Sequence, residues 1–383
     1  MRIELSIPGR ILFASGTAAE VPALAAALGR RAFVICDVHV ARDWLLEGLH
    51  GLGLSTETWL VEKEPAVADV LRALEALKAA SSDLVIGLGG GSTLDTGKAV
   101  AALAANPGDP LDYLEVVGLG RPLEKPSLPY IAIPTTAGTG AECTRNAVLT
   151  VPEQRVKVSL RSPYLLPRLA VIDPELTLSL PPGATASTGM DALTQMLEPF
   201  VSNAPNTLTD TLSRDALGRV GPALRRAYAD GQDRAAREEM ALVSLYGGLA
   251  LANSKLGAVH GLAAPLGGMY PAPHGAVCAR LLPLVMRANI HALRTRQPGS
   301  RTLARYTDVA RQLTGIPAAP AEYGIEYVEK LCVDLHIQPL STFGLRPADF
   351  PALIQQAQRA SSMQGNPIRL TDDELAEILT AAL

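Results

Sequence analysis

The sequence predicts an α/β domain built on a parallel sheet, followed by an all-α domain. In the first half, short apolar runs that end in Gly, Pro or Asp alternate with helical patterns, as expected for buried parallel strands. These runs cover residues 32–36, 84–88, 130–133 and 169–172. After Pro181-Pro182-Gly183 strand-like runs nearly vanish and helical patterns continue to the end. We therefore predict a Rossmann-like domain over residues 1–180 and a helical domain over residues 181–383.

Two helices between the predicted strands have sequence signals of their own. Thr17 and Glu20 have the spacing of a capping box ahead of an apolar stretch that starts at Val21 and stops at Gly29. Apolar residues recur at helical spacing between Val67 and Leu77. Both helices are expected to cover the sheet.

Composition restricts the class of protein. The 383 residues are 48% hydrophobic and 19% charged, which is typical of a well-packed globular chain. The net charge is −4 and Lys/Arg-rich runs are missing, so we expect no nucleic-acid partner. The first nine residues alternate polar and apolar side chains, and Gly, Pro or polar residues interrupt every apolar stretch. We therefore predict a cytoplasmic protein with neither a secretory signal nor a membrane span.

The four cysteines are scattered along the chain without paired spacing. They stand at Cys36, Cys143, Cys278 and Cys332. This pattern fits neither a disulfide framework nor a Cys-rich zinc site, and we interpret all four as reduced and structural.

A glycine run between a predicted strand and a helix indicates a phosphate site. Gly89-Gly90-Gly91-Ser92 follows the apolar run 84–88 and opens a helical pattern. Glycine lets a phosphate approach the backbone, and the amides at a helix start favour an anion. The spacing matches neither the P-loop, which has four residues between Gly and Gly-Lys, nor the standard dinucleotide fingerprint. A tight turn without a ligand is the structural alternative.

A second loop, at residues 134–142, follows another predicted strand. Thr135, Thr136 and Thr139 supply three hydroxyls on a backbone of small residues. The loop suits a ribose or an amide, and it is equally typical of a polar surface loop. Both loops leave the carboxyl ends of strands, where open parallel sheets bind ligands.

The helical half contains a candidate metal site. Asp191 and Gln195 are four residues apart and share one helical face, while His260 and His274 stand among small residues. Two imidazoles, a carboxylate and an amide oxygen suit Fe²⁺ or Zn²⁺ better than Mg²⁺. Two isolated structural histidines are the alternative interpretation.

Taken together, these segments resemble the iron-containing alcohol dehydrogenase family, which is related to glycerol dehydrogenase and dehydroquinate synthase. The resemblance spans nearly the whole chain. It is carried by the motifs at residues 89–98, 134–142 and 189–193 and by the His-Gly pairs at His260 and His274. It implies a nucleotide-binding α/β domain, a helical metal-binding domain, NAD or NADP as cofactor, and a homo-oligomer.

The resemblance also implies which residues contact the dinucleotide. They are Gly90, Gly91, Ser92, Asp95, Thr135, Thr136, Thr139, Thr144 and Lys157. Asp37 follows the run 32–36, where similar enzymes place an acidic residue against the adenosine ribose. A carboxylate there accepts from the 2′-hydroxyl and repels a 2′-phosphate, so NAD is favoured over NADP. Alternatively, Asp37 caps the helix that contains Trp44.

The chain departs from the family pattern at three positions. Gln195 stands where family members usually carry histidine, which puts the metal and its occupancy in question. Ala264 replaces a second histidine of many relatives, which removes a candidate proton relay. Glu64 stands where many relatives carry Asn near the nucleotide.

The resemblance predicts reversible hydride transfer between NAD(H) and a small alcohol or aldehyde. Asp191, His260 and His274 are the predicted catalytic and metal-binding residues, with Gln195 as a fourth ligand of Fe²⁺ or Zn²⁺. A metal-independent reductase on the same fold, similar to maleylacetate reductase, is the first alternative. A lyase similar to dehydroquinate synthase is a more distant one, with Arg145, Arg155 and Arg161 as its phosphate-binding candidates.

Overall fold

A computed structural model describes residues 4–383, which divide into two compact units. The α/β unit comprises Leu5–Thr136 and Gly140–Leu178. The helical unit contains Ser179–Leu383 together with Ala137–Thr139. The first three residues of the segment predicted to lack a secretory signal lie outside the described part of the chain.

The α/β unit contains eight strands and five helices. The strands are β1 (Ile11–Phe13), β2 (Arg31–Asp37), β3 (Ser55–Val61), β4 (Leu84–Gly89), β5 (Tyr130–Pro134), β6 (Asn146–Val151), β7 (Val156–Arg161) and β8 (Leu169–Ile172). The helices are α1 (Val21–Ala26), α2 (Asp43–Gly51), α3 (Val67–Ala79), α4 (Gly91–Ala105) and α5 (Pro110–Tyr113). Short 3₁₀ helices lie at Thr17–Glu20, Ala141–Cys143, Pro152–Gln154, Pro163–Leu165 and Pro174–Thr177.

The helical unit contains nine α-helices among the described residues. They are α6 (Pro182–Val201), α7 (Thr207–Ala229), α8 (Arg234–Asn253), α9 (Ala258–Met269), α10 (His274–Arg296), α11 (Arg301–Thr314), α12 (Ala321–Asp334), α13 (Phe350–Arg359) and α14 (Asp372–Ala382). Short 3₁₀ helices lie at Leu340–Phe343, Pro347–Asp349 and Met363–Gly365.

Six strands form one parallel sheet in the order β1-β8-β5-β4-β2-β3, and β6 and β7 form a separate antiparallel hairpin. The central strand β4 is buried at every residue. Alternate residues of β2 enter two different apolar clusters, Phe33 with residues of α3 and α4, and Val34 with residues of α1 and α2. The sheet is therefore covered on both faces, which explains its continuous apolar strands. The predicted fold class is confirmed.

Four strands match the predicted apolar runs, whereas β1, β3, β6 and β7 have no counterpart among the predictions. The predicted capping box is wrong. Thr17–Glu20 form a 3₁₀ helix after Gly16, which has a left-handed φ of 81°, and the Thr17 hydroxyl donates to the Ala14 carbonyl at 2.8 Å. Because its hydroxyl is bonded to the carbonyl of a residue that precedes it in the chain, Thr17 does not cap α1.

Helix α6 forms the centre of the helical unit. It is buried over most of its length and packs against α7, α8 and α10. By length and composition, His274–Arg296 is the one helix in the described residues that could cross a bilayer, and 67% of its most apolar window is buried inside the protein. Core helices meet the same criterion, so the predicted lack of a membrane span stays a prediction.

A buried lysine ties α4 to the segment that follows β5. Lys98 has a side chain with 0% exposure, and its Nζ lies 2.7 Å from Asp95 Oδ1. The same ammonium donates to the Ala141 carbonyl at 2.9 Å and to Thr144 Oγ1 at 2.8 Å. A buried cation is tolerated only when its partners are complete, so this network holds the residues after β5 against α4.

Glu142 is buried beside this network, with 2% of its surface exposed. Burial raises the pKa of Glu142 from 4.5 to about 7, against the smaller opposing effects of its own backbone hydrogen bond and of Lys98. The folded protein therefore holds the Glu142 proton more tightly than the unfolded chain does.

Replacing the buried ammonium should destabilise the α/β unit. Lys98→Met leaves the Asp95 carboxylate, the Thr144 hydroxyl and the carbonyl groups of Ala141 and Asn146 without the ammonium, and we expect a loss of about 2–4 kcal/mol in the free energy of unfolding. Urea denaturation followed by circular dichroism measures this. Lys125→Met, at an exposed lysine, is the control and should change stability by less than about 0.5 kcal/mol. Equal stability of the two variants would contradict the role given to Lys98.

The buried carboxyl predicts a pH-dependent stability. Because the folded pKa of Glu142 lies above the unfolded value, its contribution is fully present below the unfolded pKa and is lost as the pH rises through the folded pKa. Glutamine does not titrate, so only wild type loses this contribution as the pH rises. From pH 5 to pH 8, the free energy of unfolding of Glu142→Gln should therefore rise by about 2–3 kcal/mol relative to that of wild type. Denaturant titrations at both pH values measure the change, with the exposed Glu124→Gln as control. If the difference in unfolding free energy between Glu142→Gln and wild type is the same at both pH values, the raised pKa of Glu142 is wrong.

Candidate functional site

The predicted glycine run forms a strand–turn–helix cradle. β4 ends at Gly89, Gly90 is the N-cap, and α4 begins at Gly91. A Cβ at Gly90 would lie 3.2 Å from Thr136 Cγ2, closer than a side chain is usually tolerated. The first amides of α4 have no carbonyl partner inside the helix and are available to an anion. The cradle therefore fits the diphosphate of a dinucleotide.

Register places other predicted nucleotide residues at the same edge of the sheet. Cys36 pairs with Leu88 and Gly89 pairs with Pro134, so Asp37, which ends β2, and Thr135, which follows β5, flank the glycine run. The chain order reverses between β2 and β4, which is the switch point where such sheets bind ligands. Asp37, Gly90, Gly91, Ser92, Thr135 and Thr136 thus converge at this edge.

The remaining predicted nucleotide residues lie at three other places. Asp95 and Thr144 are joined through the Lys98 ammonium. Lys157 lies on β7, where its ammonium forms an ion pair with Glu64, the residue that departs from the family pattern. Thr139 belongs to the helical unit. Lys98, which the sequence analysis did not assign, is the residue that joins two of these positions.

Asp37 is free of a helix-capping role. Its Oδ1 accepts the backbone N–H of His39 at 2.8 Å in a turn after β2. Helix α2, which contains Trp44, begins six residues further on, at Asp43, and has Arg42 as its N-cap. The capping alternative is therefore wrong.

Three helices bring the predicted metal ligands together. Asp191 lies on α6, His260 lies in the first turn of α9, and His274 is the first residue of α10. Asp191 Oδ1 lies 3.3 Å from His260 Nε2 and 3.8 Å from His274 Nε2. The two imidazole rings are 5.4 Å apart, centroid to centroid. The structural alternative of two isolated histidines is therefore excluded.

This cluster contains buried polar atoms that lack partners. Within residues 4–383, Asp191 Oδ1, Gln195 Oε1 and His260 Nε2 are inaccessible to water and receive no hydrogen bond. An unsatisfied buried polar group costs about 1–3 kcal/mol, and more if charged. Asp191 Oδ1 and His260 Nε2 face each other at 3.3 Å with His274 Nε2 beside them, and these are the kinds of donor that hold a cation, so the residues present fit a divalent metal.

Gln195 directs Asp191 through its amide. Its Nε2 donates to Asp191 Oδ2 at 3.2 Å and to the Gly138 carbonyl at 3.4 Å. This leaves Asp191 Oδ1 as the oxygen that faces the two histidines. Gln195 therefore lies beside Asp191 and orients its carboxylate, while its predicted role as a fourth ligand stays a prediction.

Glu198, which the sequence analysis missed, fixes His260 from the opposite side. Its Oε2 lies 2.6 Å from His260 Nδ1, and its Oε1 accepts the amide N–H of Val259 at 2.7 Å. A carboxylate at Nδ1 keeps the proton on that nitrogen and leaves the Nε2 lone pair for a cation. Its position seven residues after Asp191 places it on the same face of α6, which is the one sign of it in the sequence and a weak one.

A close backbone approach positions His274. A Cβ at Gly275 would lie 2.2 Å from the Ser187 carbonyl oxygen of α6, so only glycine fits there. His274 keeps 33% of its side chain exposed, while Asp191 keeps 2%. The cluster is therefore reached from the His274 side.

The electrostatics of the cluster favour a positive charge. Burial raises the pKa of Asp191, but His274, His260 and Gln195 outweigh burial and hold that pKa below 3.8. Burial lowers the pKa of His260, but Cys278, Asp191 and Glu198 outweigh it and raise that pKa well above 6.5. The surroundings of Asp191 and His260 therefore stabilise a positive charge between them.

Cys278 also lies in this cluster. Its Sγ is 3.6 Å from His274 Nε2, one helical turn earlier on α10. All four cysteines are free thiols, as predicted. The interpretation of Cys278 as structural stays a prediction, and the structure adds that its sulfur lies with Asp191, His260 and His274 in a group whose donor atoms are within 4.8 Å of one another.

Two family matches cover most of the chain. Residues 8–174 match the family described as iron-containing alcohol dehydrogenase. Residues 185–383 match the family described as Fe-containing alcohol dehydrogenase, C-terminal. The two matches meet near the division between the α/β and helical units.

Known proteins resemble the chain over most of its length. The lactaldehyde reductase of Escherichia coli K12 is 38% identical over 328 residues, covering 84% of this chain and 82% of that protein. The crystal structure of a 1,3-propanediol oxidoreductase superposes with a TM-score of 0.92 and 32% identity, covering 100% of both chains.

A third similar protein is the sulfoacetaldehyde reductase of Bifidobacterium kashiwanohense, solved in complex with NAD⁺. It has a TM-score of 0.86 and 29% identity, covering 100% of this chain and 99% of that one. With the glycine cradle and the histidine–aspartate cluster in place, these matches lead to one conclusion. The chain belongs to the iron-containing alcohol dehydrogenase family of oxidoreductases.

Proposed function

We propose that the protein is a divalent-metal-dependent dehydrogenase that interconverts small alcohols and aldehydes with NAD(H). One observation carries the proposal: Asp191 Oδ1 lies 3.3 Å from His260 Nε2 and 3.8 Å from His274 Nε2, so that three metal-ligating atoms from three helices meet at one point. The names of the similar proteins, a lactaldehyde reductase and a 1,3-propanediol oxidoreductase, support small substrates.

Asp191, His260 and His274 are the proposed ligands, and Fe²⁺ or Zn²⁺ suits their mixed nitrogen and oxygen donors. When bound, such a cation supplies a Lewis acid that polarises a carbonyl oxygen and stabilises alkoxide character. The protein contributes orientation: Glu198 holds the His260 ring and Gln195 holds the Asp191 carboxylate. Because these contacts are already made, the donors need little rearrangement.

The α/β unit is the proposed site of the dinucleotide, which supplies or accepts the hydride. The amides at the start of α4 would hold the diphosphate, as argued from the Gly90 cradle. Asp37 ends the adjacent strand with its Oδ2 available to a ribose, since Oδ1 accepts the His39 amide. We therefore propose NAD over NADP.

Chelation and product analysis separate the alternatives. A metal-independent reductase, suggested by Gln195 and Ala264, would keep its activity after exhaustive chelation. A lyase would use NAD only transiently and would show no net oxidation of NADH. Of its phosphate-binding candidates, Arg161 forms an ion pair with Glu115 at 2.8 Å, which reduces its availability to an anion. Arg145 and Arg155 lie near it in sequence.

Two further expectations accompany this proposal. A homo-oligomer is expected from the family resemblance, and a cytoplasmic location is expected from the amino-acid sequence. Both stay predictions.

Metal dependence is the first test of the function. Purified protein with NADH should reduce short aldehydes when supplied with Zn²⁺, Fe²⁺ or Mn²⁺, lose this activity on chelation, and regain it when metal returns. His274→Ala should lower kcat/KM by about 100-fold or more, because it removes a ligand. His291→Ala, an exposed histidine on the same helix, should match wild type.

Two outcomes would count against this function. Full activity after exhaustive chelation would favour the metal-independent reductase. Failure to reduce any aldehyde with any of the three metals would show the proposed reaction to be wrong.

Cofactor choice is the second test. Asp37→Ser keeps a side-chain acceptor for the turn after β2 but removes the charge that repels a 2′-phosphate. We expect the NADPH-to-NADH ratio of kcat/KM to rise by about tenfold or more, mainly through KM for NADPH. Asp43→Ser, at a nearby exposed aspartate, should leave the ratio unchanged. An unchanged ratio in Asp37→Ser would remove the basis for preferring NAD.

A further inference from the structure

Cys278 lies where a metal ligand would lie, although the ligands predicted from the sequence did not include a cysteine. It is buried, with 0% of its surface exposed, and lies one turn after His274 on α10. Side chains four residues apart lie on the same face of a helix, so the Cys278 thiol and the His274 imidazole point into the same region. This inference rests on the metal-dependent function proposed above.

The distances within the group match the edges of a coordination tetrahedron. Ligands at 2.0–2.3 Å from one zinc ion lie about 3.3–3.8 Å from each other. Asp191 Oδ1 is 3.3 Å from His260 Nε2 and 3.8 Å from His274 Nε2, and Cys278 Sγ is 3.6 Å from His274 Nε2. The other three distances within the group are at most 4.8 Å, so one ion could contact all four donors once the longer distances contract toward this range.

Gln195 is a poorer candidate for the fourth ligand. Its amide nitrogen already donates to Asp191 and to the Gly138 carbonyl, and its oxygen is a neutral donor. A thiolate carries a full negative charge, and together with the Asp191 carboxylate it balances the charge of a divalent cation. The thiol proton passes to solvent as the cation binds, so the exchange is balanced.

The other cysteines occupy different environments. Cys36 packs inside an apolar cluster of the α/β unit. Cys332, on α12, donates from Sγ to the Ala279 carbonyl at 3.3 Å. Cys143 is buried beside Glu142 and belongs to no such group of metal-ligating side chains among residues 4–383. Cys278 therefore differs from the other three in lying beside both a carboxylate and two imidazoles.

We propose that Cys278 Sγ, and not Gln195 Oε1, is the fourth protein ligand of the cation, beside Asp191, His260 and His274. Thiolate is a soft ligand and favours Zn²⁺ over Fe²⁺ and Mn²⁺. Gln195 remains as the group that orients Asp191. The protein would then be a zinc enzyme in a family described by its iron.

The test uses Co²⁺ as a spectroscopic substitute for Zn²⁺ in the full-length protein. Wild-type protein loaded with one equivalent of Co²⁺ should show a sulfur-to-cobalt charge-transfer band in the near ultraviolet, besides its visible bands. Cys278→Ser and Cys278→Ala should lose the near-ultraviolet band and bind Zn²⁺ at least about tenfold more weakly in a competition with a chromophoric chelator. Cys332→Ser, at a cysteine outside the cluster, should match wild type in both measurements.

The outcomes separate this proposal from the function on which it rests. Visible cobalt bands in wild type without the near-ultraviolet band would overturn the role of Cys278 and leave metal-dependent catalysis intact. If wild type bound neither Co²⁺ nor Zn²⁺, both proposals would fail. Since the wild-type spectrum alone decides between these results, a variant that fails to fold does not obscure the test.

Discussion

The hydrogen bond between Glu198 and His260 sets the state of the buried cluster. Glu198 Oε2 lies 2.6 Å from His260 Nδ1, and the second carboxylate oxygen is held by the Val259 amide. The carboxylate can therefore neither rotate away nor release the ring. Because Nδ1 is committed to Glu198, Nε2 is the nitrogen that faces Asp191, and the chemistry of the site follows from that orientation.

The helical unit sustains this arrangement at an energetic cost. Asp191, Gln195, Glu198 and His260 are all buried, and isolated polar groups in such surroundings are destabilising. Glu198 forms a hydrogen bond with His260, and Gln195 donates one to Asp191. Three polar atoms of this site in the described structure are still left without a hydrogen-bond partner. A bound cation would satisfy Asp191 Oδ1 and His260 Nε2 at once, whereas Gln195 Oε1 stays outside the proposed ligand set. On this account stability and catalysis depend on the same ion, and its removal should weaken both.

The sequence predicted the parts of the fold whose signals are local. Strands β4, β5 and β8 are buried on both faces and read as plain apolar runs. β3, at Ser55–Val61, lies at the sheet edge and begins with four polar residues, and the β6–β7 hairpin lies outside the sheet, so neither forms an apolar run that the sequence would reveal. The capping box at Thr17 failed because its hydroxyl bonds backwards to Ala14, which spacing alone does not reveal.

The site was predictable to a similar degree. The ligands Asp191, His260 and His274 could be named from motifs, but only packing shows that α6, α9 and α10 bring them together. Glu198 and Cys278 were present at helical spacing from Asp191 and His274, yet a single Glu or Cys at that spacing is common and carries little information by itself. Their meaning depends on contacts between helices that are remote in sequence.

The central claim is that the cluster held by Glu198 is a metal centre. Anomalous scattering at the zinc edge, from crystals of the protein loaded with Zn²⁺, tests it most directly. The account predicts one ion within about 2.0–2.3 Å of Asp191 Oδ1, His260 Nε2 and His274 Nε2. Zinc bound only elsewhere, with water bridging these three atoms, would contradict it.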